Sequence, residues 1–141
     1  MTHDAIKVLL VEDNPGDARL VEEGLAEVQS PRFDLTHVSC LDEARRRLGK
    51  EHYDAVLLDL LLADSSRLGT LLELPEHGSR VPVIVFTGLD DDVTLRYAFG
   101  EGARDYLVKG KVDAEEIAAS IEMAIGAYRA HSGRIGTYTR R

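Results

Sequence analysis

The chain has 141 residues, 44% hydrophobic, 30% charged and 6% aromatic, a globular balance for one domain that buries its own core. Its formal net charge of -8 repels phosphate backbones and weighs against nucleic acid as a main partner. A single cysteine, Cys40, excludes an internal disulfide and a cysteine metal cluster, and no apolar run approaches the roughly 18 residues of a membrane span.

The opening MTHDAIKVLLVED holds too short an apolar stretch for a signal peptide, so a cytoplasmic location is expected. Residues 6–11 are a continuous apolar run, as in a strand buried on both faces of a parallel sheet. Residues 15–28 carry Ala18, Leu20, Val21, Leu25 and Val28 at helical spacing behind Pro15, which suits a first helical turn. Residues 33–38 alternate apolar and polar like an edge strand. Residues 41–48 set Asp42 and Glu43 ahead of Arg45, Arg46 and Arg47, the order a helix dipole favours.

Residues 53–58 predict a second buried strand, ending at Asp59, and a helix follows from Ser65 or Ser66 to Leu74. Residues 82–86 form a further apolar strand ending at Thr87 and Gly88. A helix over 91–99 opens at Asp90, Asp91 and Asp92, which read as caps rather than metal ligands, and stops at Gly100 and Gly102. Residues 104–108 make a short strand ending at Lys109 and Gly110. Residues 113–128 then place Ile117, Ala118, Ile121, Ala124, Ile125 and Tyr128 on one helical face. Five strand–helix units predict an α/β fold, a doubly wound parallel sheet with right-handed crossovers and helices on both faces. The domain is expected over residues 5–130, with a flexible tail at 131–141. His3, His37, His52, His77 and His131 lack ligand spacing and read as surface residues, and Cys40 as a small residue ending the second strand.

Sites in an open parallel sheet form beyond the carboxyl ends of the strands. Those ends carry Glu12 and Asp13, then Asp59, then Thr87, then Lys109. Three carboxylates crowd together only around a strong cation, and oxygen ligands suit Mg²⁺ or Mn²⁺. Asp59, alone among apolar neighbours, suits a nucleophile toward phosphorus that yields an aspartyl phosphate. Lys109 and Thr87 would then offer an ammonium and a hydroxyl to phosphate oxygens. Each residue singly has a plainer role: a helix start for Glu12 and Asp13, a cap for Asp59, a solvated lysine, a β-branched strand residue. Their joint placement at strand ends carries the functional reading.

The motifs VLLVEDN, DAVLLDL, VPVIVFTG and ARDYLVKG, in that order, resemble the receiver domain of two-component response regulators, the CheY-like family, over about residues 5–128. The resemblance implies a five-stranded flavodoxin-like sheet of order 2-1-3-4-5 with five helices. It implies Asp59 as the phosphoacceptor, Asp13 as a direct Mg²⁺ ligand, Glu12 as a ligand mostly through water, and the Leu61 backbone carbonyl as a further ligand. Thr87 falls on the switch hydroxyl, Lys109 on the lysine and Tyr106 on the aromatic switch position, whose ring turns inward when Thr87 moves toward the phosphate. The donor it implies is a sensor histidine kinase or a phosphotransfer protein. The target is a protein docking on the fourth helix, fifth strand and fifth helix. The chain would be a monomer or a phosphorylation-linked homodimer, with no nucleic-acid or membrane partner. It would be a phosphoacceptor rather than an enzyme, with at most self-phosphorylation and slow autodephosphorylation.

Two positions depart from the family pattern. Ala63 stands where proline is frequent. Gly110 follows Lys109 where proline is usual, often through a cis bond, and a cis bond to glycine is energetically disfavoured. Leu61 and Leu89 occupy positions that tune phosphoryl lifetime; both are apolar and cannot position water, so slow self-hydrolysis is expected. The stretches VEDNPGDARLVEEGL and DLLLADSSRLGTL resemble single-domain regulators that work beside phytochrome-like or other sensor kinases. A stand-alone receiver, or one cut from a longer chain, is therefore expected. Two rival readings are a phosphorylation-independent pseudo-receiver that only binds partners, and a small metal-dependent phosphotransferase or Toprim-type nuclease; the paired aspartates of a Toprim domain are missing at Asp59, Leu60 and Leu61.

Overall fold

The apolar runs of the sequence become the interior of one sheet. A computed structural model describes residues 5–62 and 81–133. In chain order its elements are β1 (Ile6–Val11), α1 (Pro15–Ala26), β2 (Phe33–Val38), α2 (Leu41–Lys50), β3 (Ala55–Leu58), β4 (Val83–Thr87), α3 (Asp92–Gly100), β5 (Asp105–Val108) and α4 (Ala114–Gly133). The strands are all parallel, in the order β2-β1-β3-β4-β5. This is the expected CheY-like topology. The helix predicted from Ser65 or Ser66 to Leu74 lies outside the described residues, as does Ala63.

Side chains of a strand alternate between faces, so a run that is apolar throughout feeds two cores at once. Val8, Leu10, Ala55, Leu57, Ile84, Phe86 and Leu107 meet α1 and α4 on one side. Leu9, Val11, Val56, Leu58, Val83, Val85 and Tyr106 meet α2 and α3 on the other. β2 is an edge strand with a half-exposed pattern, as its alternation predicted.

Local chemistry fixes the helix starts. Asn14 Oδ1 accepts the Asp17 N–H at 2.9 Å, and Asp91 Oδ1 accepts the Thr94 N–H at 2.7 Å, the capping role read from the acidic triplet. Asp113 and Glu116 cap one another at the start of α4, at 2.8 and 2.9 Å. Cys40 is the N-cap residue of α2 and makes no side-chain cap bond. α4 runs on to Gly133, past Tyr128, so the first residues assigned to the tail are helical. α1 closes on the start of α4 because residue 24 is glycine: a Cβ there would stand 2.8 Å from the Ala114 Cβ.

Candidate acidic site at the strand ends

Sheet register assembles the site. Leu10, Leu57 and Leu107 share the core layer under α1 and α4, and two residues further along their strands come Glu12, Asp59 and Lys109. The two-residue period of a strand sends all three toward the same face, beside the first turn of α1. Val11 pairs with Leu58, and the Asp59 N–H donates to the Val11 carbonyl at 3.1 Å, so Glu12 and Asp59 leave adjacent strands at one level. The Lys109 N–H donates to the Thr87 carbonyl at 2.8 Å and extends the β4–β5 ladder by one step.

The Lys109 ammonium sits among three carboxylates, 2.8 Å from each of Asp59 Oδ2, Asp17 Oδ2 and Glu12 Oε1. It donates hydrogen bonds to Asp59 and Asp17. Its approach to Glu12 is an ion pair without hydrogen-bond alignment, so among the described residues the buried Oε1 has no well-aligned donor. Glu12 Oε2 accepts the Asn14 N–H at 3.2 Å, and Asp59 Oδ1 accepts the Leu61 N–H at 3.0 Å. Glu12, Asp13 and Asp59 each bring a carboxylate oxygen within 4.8 Å of the others; Glu12 and Asp59 are buried and Asp13 is exposed.

The electrostatics follow from that crowding. Burial pushes the Glu12 carboxyl up to about 7; Lys109 opposes the shift and the charge of Asp59 reinforces it. Burial works against the charge on Lys109, but Asp17, Asp59 and Glu12 outweigh it and hold the ammonium charged beyond the ordinary lysine range. The donor set is all oxygen, carries excess negative charge, and includes one buried carboxylate oxygen lacking a hydrogen bond. These residues fit a hard divalent cation such as Mg²⁺ or Mn²⁺.

Residues 8–122 match the response regulator receiver domain family. The chain belongs to that family. This receiver domain is 27% identical, over 125 residues, to the transcriptional regulatory protein ZraR of Escherichia coli K12, covering 89% of this chain and 27% of ZraR. It spans 27–52% of the length of four such regulatory relatives. Among solved structures it resembles the signal receiver domain of a modulated diguanylate cyclase from Desulfovibrio desulfuricans G20, at 29% identity and TM-score 0.76, covering 91% of this chain and 99% of that one. It also resembles the receiver domain of a sensor histidine kinase from Pseudomonas aeruginosa PAO1, at 28% identity and TM-score 0.74, covering 87% of this chain and 99% of that one. That structure has a magnesium ion coordinated in its active site cleft.

The other residues singled out in the receiver sequence form a second group. Thr87 is fully buried at the end of β4, with Oγ1 3.5 Å from the Leu89 N–H; among the described residues it makes no hydrogen bond to the acids. Tyr106 is buried in β5, and its hydroxyl donates to the Leu89 carbonyl at 2.7 Å. Thr87 and Tyr106 therefore converge on the loop that leads into α3. The Leu61 side chain is exposed, while its backbone anchors Asp59. The Lys109–Gly110 bond is trans, and Gly110 takes φ +86°.

Two residues were not anticipated. Asp17 reads in the sequence as an ordinary acid of a first helical turn. Its signal was position: a helix that starts straight after Glu12 and Asp13 places its first turn over the same strand ends. His37, expected at the surface, is half-buried, with Nε2 2.7 Å from the Glu12 carbonyl oxygen. The pairing of Leu10 with His37 brings the ring alongside the end of β1.

Proposed function

We propose that this receiver domain is a phosphorylation-controlled switch in which Asp59 accepts a phosphoryl group from a sensor histidine kinase or a phosphotransfer protein. The observation that carries this reading is the Lys109 ammonium at 2.8 Å from Asp59 Oδ2, inside a cluster whose acids outnumber their cations. In transfer, an Asp59 oxygen forms a bond to phosphorus while the bond to the donor breaks and the leaving group keeps the electron pair. In this reading Lys109 receives one phosphoryl oxygen, and Thr87 supplies a hydroxyl from the end of β4. Asp13, Asp59, the Leu61 carbonyl and, through water, Glu12 would hold Mg²⁺ or Mn²⁺, which when bound neutralises charge on the phosphoryl oxygens.

The output runs through Leu89. A shift of Thr87 toward the phosphoryl group disturbs the loop that Tyr106 also grips, and so biases the α3–β5–α4 face between two partner preferences. α3 carries exposed Val93 and Phe99, and α4 carries exposed Met123, which suits a protein target. The net charge of -8 supports protein rather than nucleic-acid partners for this chain. A monomer, or a homodimer linked to phosphorylation, in the cytoplasm fits this reading, and the chemistry is self-loading and slow self-hydrolysis rather than turnover of a separate substrate.

Intact mass after incubation with acetyl phosphate and Mg²⁺ tests the proposal. One added phosphoryl group is expected, absent in Asp59→Asn and abolished by EDTA. A folded, Mg²⁺-binding protein that gains no mass would instead favour a pseudo-receiver that only binds partners.

A further inference from the structure

Asp17 stands in the first turn of α1, and its Oδ2 lies 2.8 Å from Lys109 Nζ, across 92 positions of sequence. An ammonium has three donors. Lys109 already faces three carboxylate oxygens at 2.8 Å, from Glu12, Asp17 and Asp59. Two of them, Asp17 and Asp59, accept its hydrogen bonds and all three crowd its head, so a phosphoryl oxygen gains room on the ammonium when one of them moves away. The three differ in what displacement costs. The Glu12 and Asp59 side chains are 1% and 4% exposed, that of Asp17 37%. A buried carboxylate that loses the ammonium must find another cation or take up a proton, whereas an exposed one simply recovers water. Asp17 is the partner that yields.

Resting on the reading of Asp59 as phosphoacceptor, we propose that Asp17 is a positioning residue: it occupies one donor of Lys109 in the resting site and releases it to the incoming phosphoryl group. It thereby sets how readily a small phosphodonor binds. With acetyl phosphate, an Asp59 oxygen bonds to phosphorus, the phosphorus–oxygen bond to the acetyl group breaks, acetate leaves with the electron pair, and no proton moves. Without the Asp17 carboxylate, the ammonium keeps one acceptor fewer and the donor dianion meets one negative charge fewer. The displacement at phosphorus itself does not involve Asp17.

The test is the rate of adduct formation against acetyl phosphate concentration at saturating Mg²⁺, followed by intact mass in wild type, Asp17→Asn, Asp17→Ala and Asp17→Glu. The half-saturating concentration is expected to fall about 5-fold in the Asn and Ala variants, the size of a partly exposed ion pair. The maximal rate is expected to stay within about 2-fold, and Asp17→Glu to restore the wild-type half-saturation. A half-saturation that does not move, or a loss confined to the maximal rate, would overturn the proposal while leaving Asp59 as acceptor. No adduct in wild type or in any variant would overturn the acceptor reading, and the role of Asp17 with it.

Discussion

β3 carries an aspartate just beyond each end, and the two have opposite surroundings. Asp54, ahead of the strand, accepts the Lys7 N–H at 2.8 Å, His52 Nε2 lies 3.1 Å away and an Arg129 nitrogen 3.5 Å away. Among the described residues these contacts are all with donors, and the side chain keeps some access to water, so the carboxylate closes the β1–β3 ladder. Asp59, beyond the other end, is buried beside Glu12, and one ammonium serves both of them and Asp17. A balanced acid holds structure together; a crowded set of acids holds free energy that a bound cation can release.

The largest effect should come from removing the Lys109 ammonium. Lys109→Ala leaves the buried carboxylates without a cation among the described residues, and a loss of stability on the order of 3 kcal/mol is expected in EDTA. Added Mg²⁺ should restore more stability in the variant than in wild type, read by urea denaturation with and without the metal; an equal response would mean that the acids do not share a cation site. Glu12→Gln comes next. The Glu12 carboxyl is raised from an ordinary 4.5 to about 7, so its contribution is fully present below the lower value and is lost as pH rises through the upper one. Metal-free wild type should therefore lose on the order of 3 kcal/mol from this group across that window, and Glu12→Gln should flatten the slope. A pH-stability series in EDTA checks it. The smallest effect belongs to the other end of the strand: Asp54→Asn should cost about 1 kcal/mol and leave the Mg²⁺ response unaltered, because it removes a balanced contact and no site chemistry.

How much was legible in the sequence follows from the same geometry. Glu12, Asp59 and Lys109 could be read together because each follows an apolar strand whose face is set by parity, and parity needs no knowledge of distant packing. The sheet order came with the family likeness. Asp17 escaped because its meaning depends on where the first turn of α1 lies relative to Lys109, and that placement comes from packing between α1 and α4, where Gly24 meets Ala114, rather than from any local pattern. His37 escaped because its neighbour is fixed by the β1–β2 register and not by its own strand. The end of α4 was drawn too early because His131, Ser132 and Gly133 look like a tail by composition, yet the helix continues through them.

Gly110 carries one more consequence. Its φ of +86° belongs to a region that proline, locked near -65°, cannot enter and that other L-residues enter only with strain. Glycine and proline after Lys109 are thus two different loops rather than two spellings of one. An evolutionary lineage with this loop has a one-way door at position 110: a proline introduced there would have to rebuild the turn that delivers Lys109 before it could be inherited without loss.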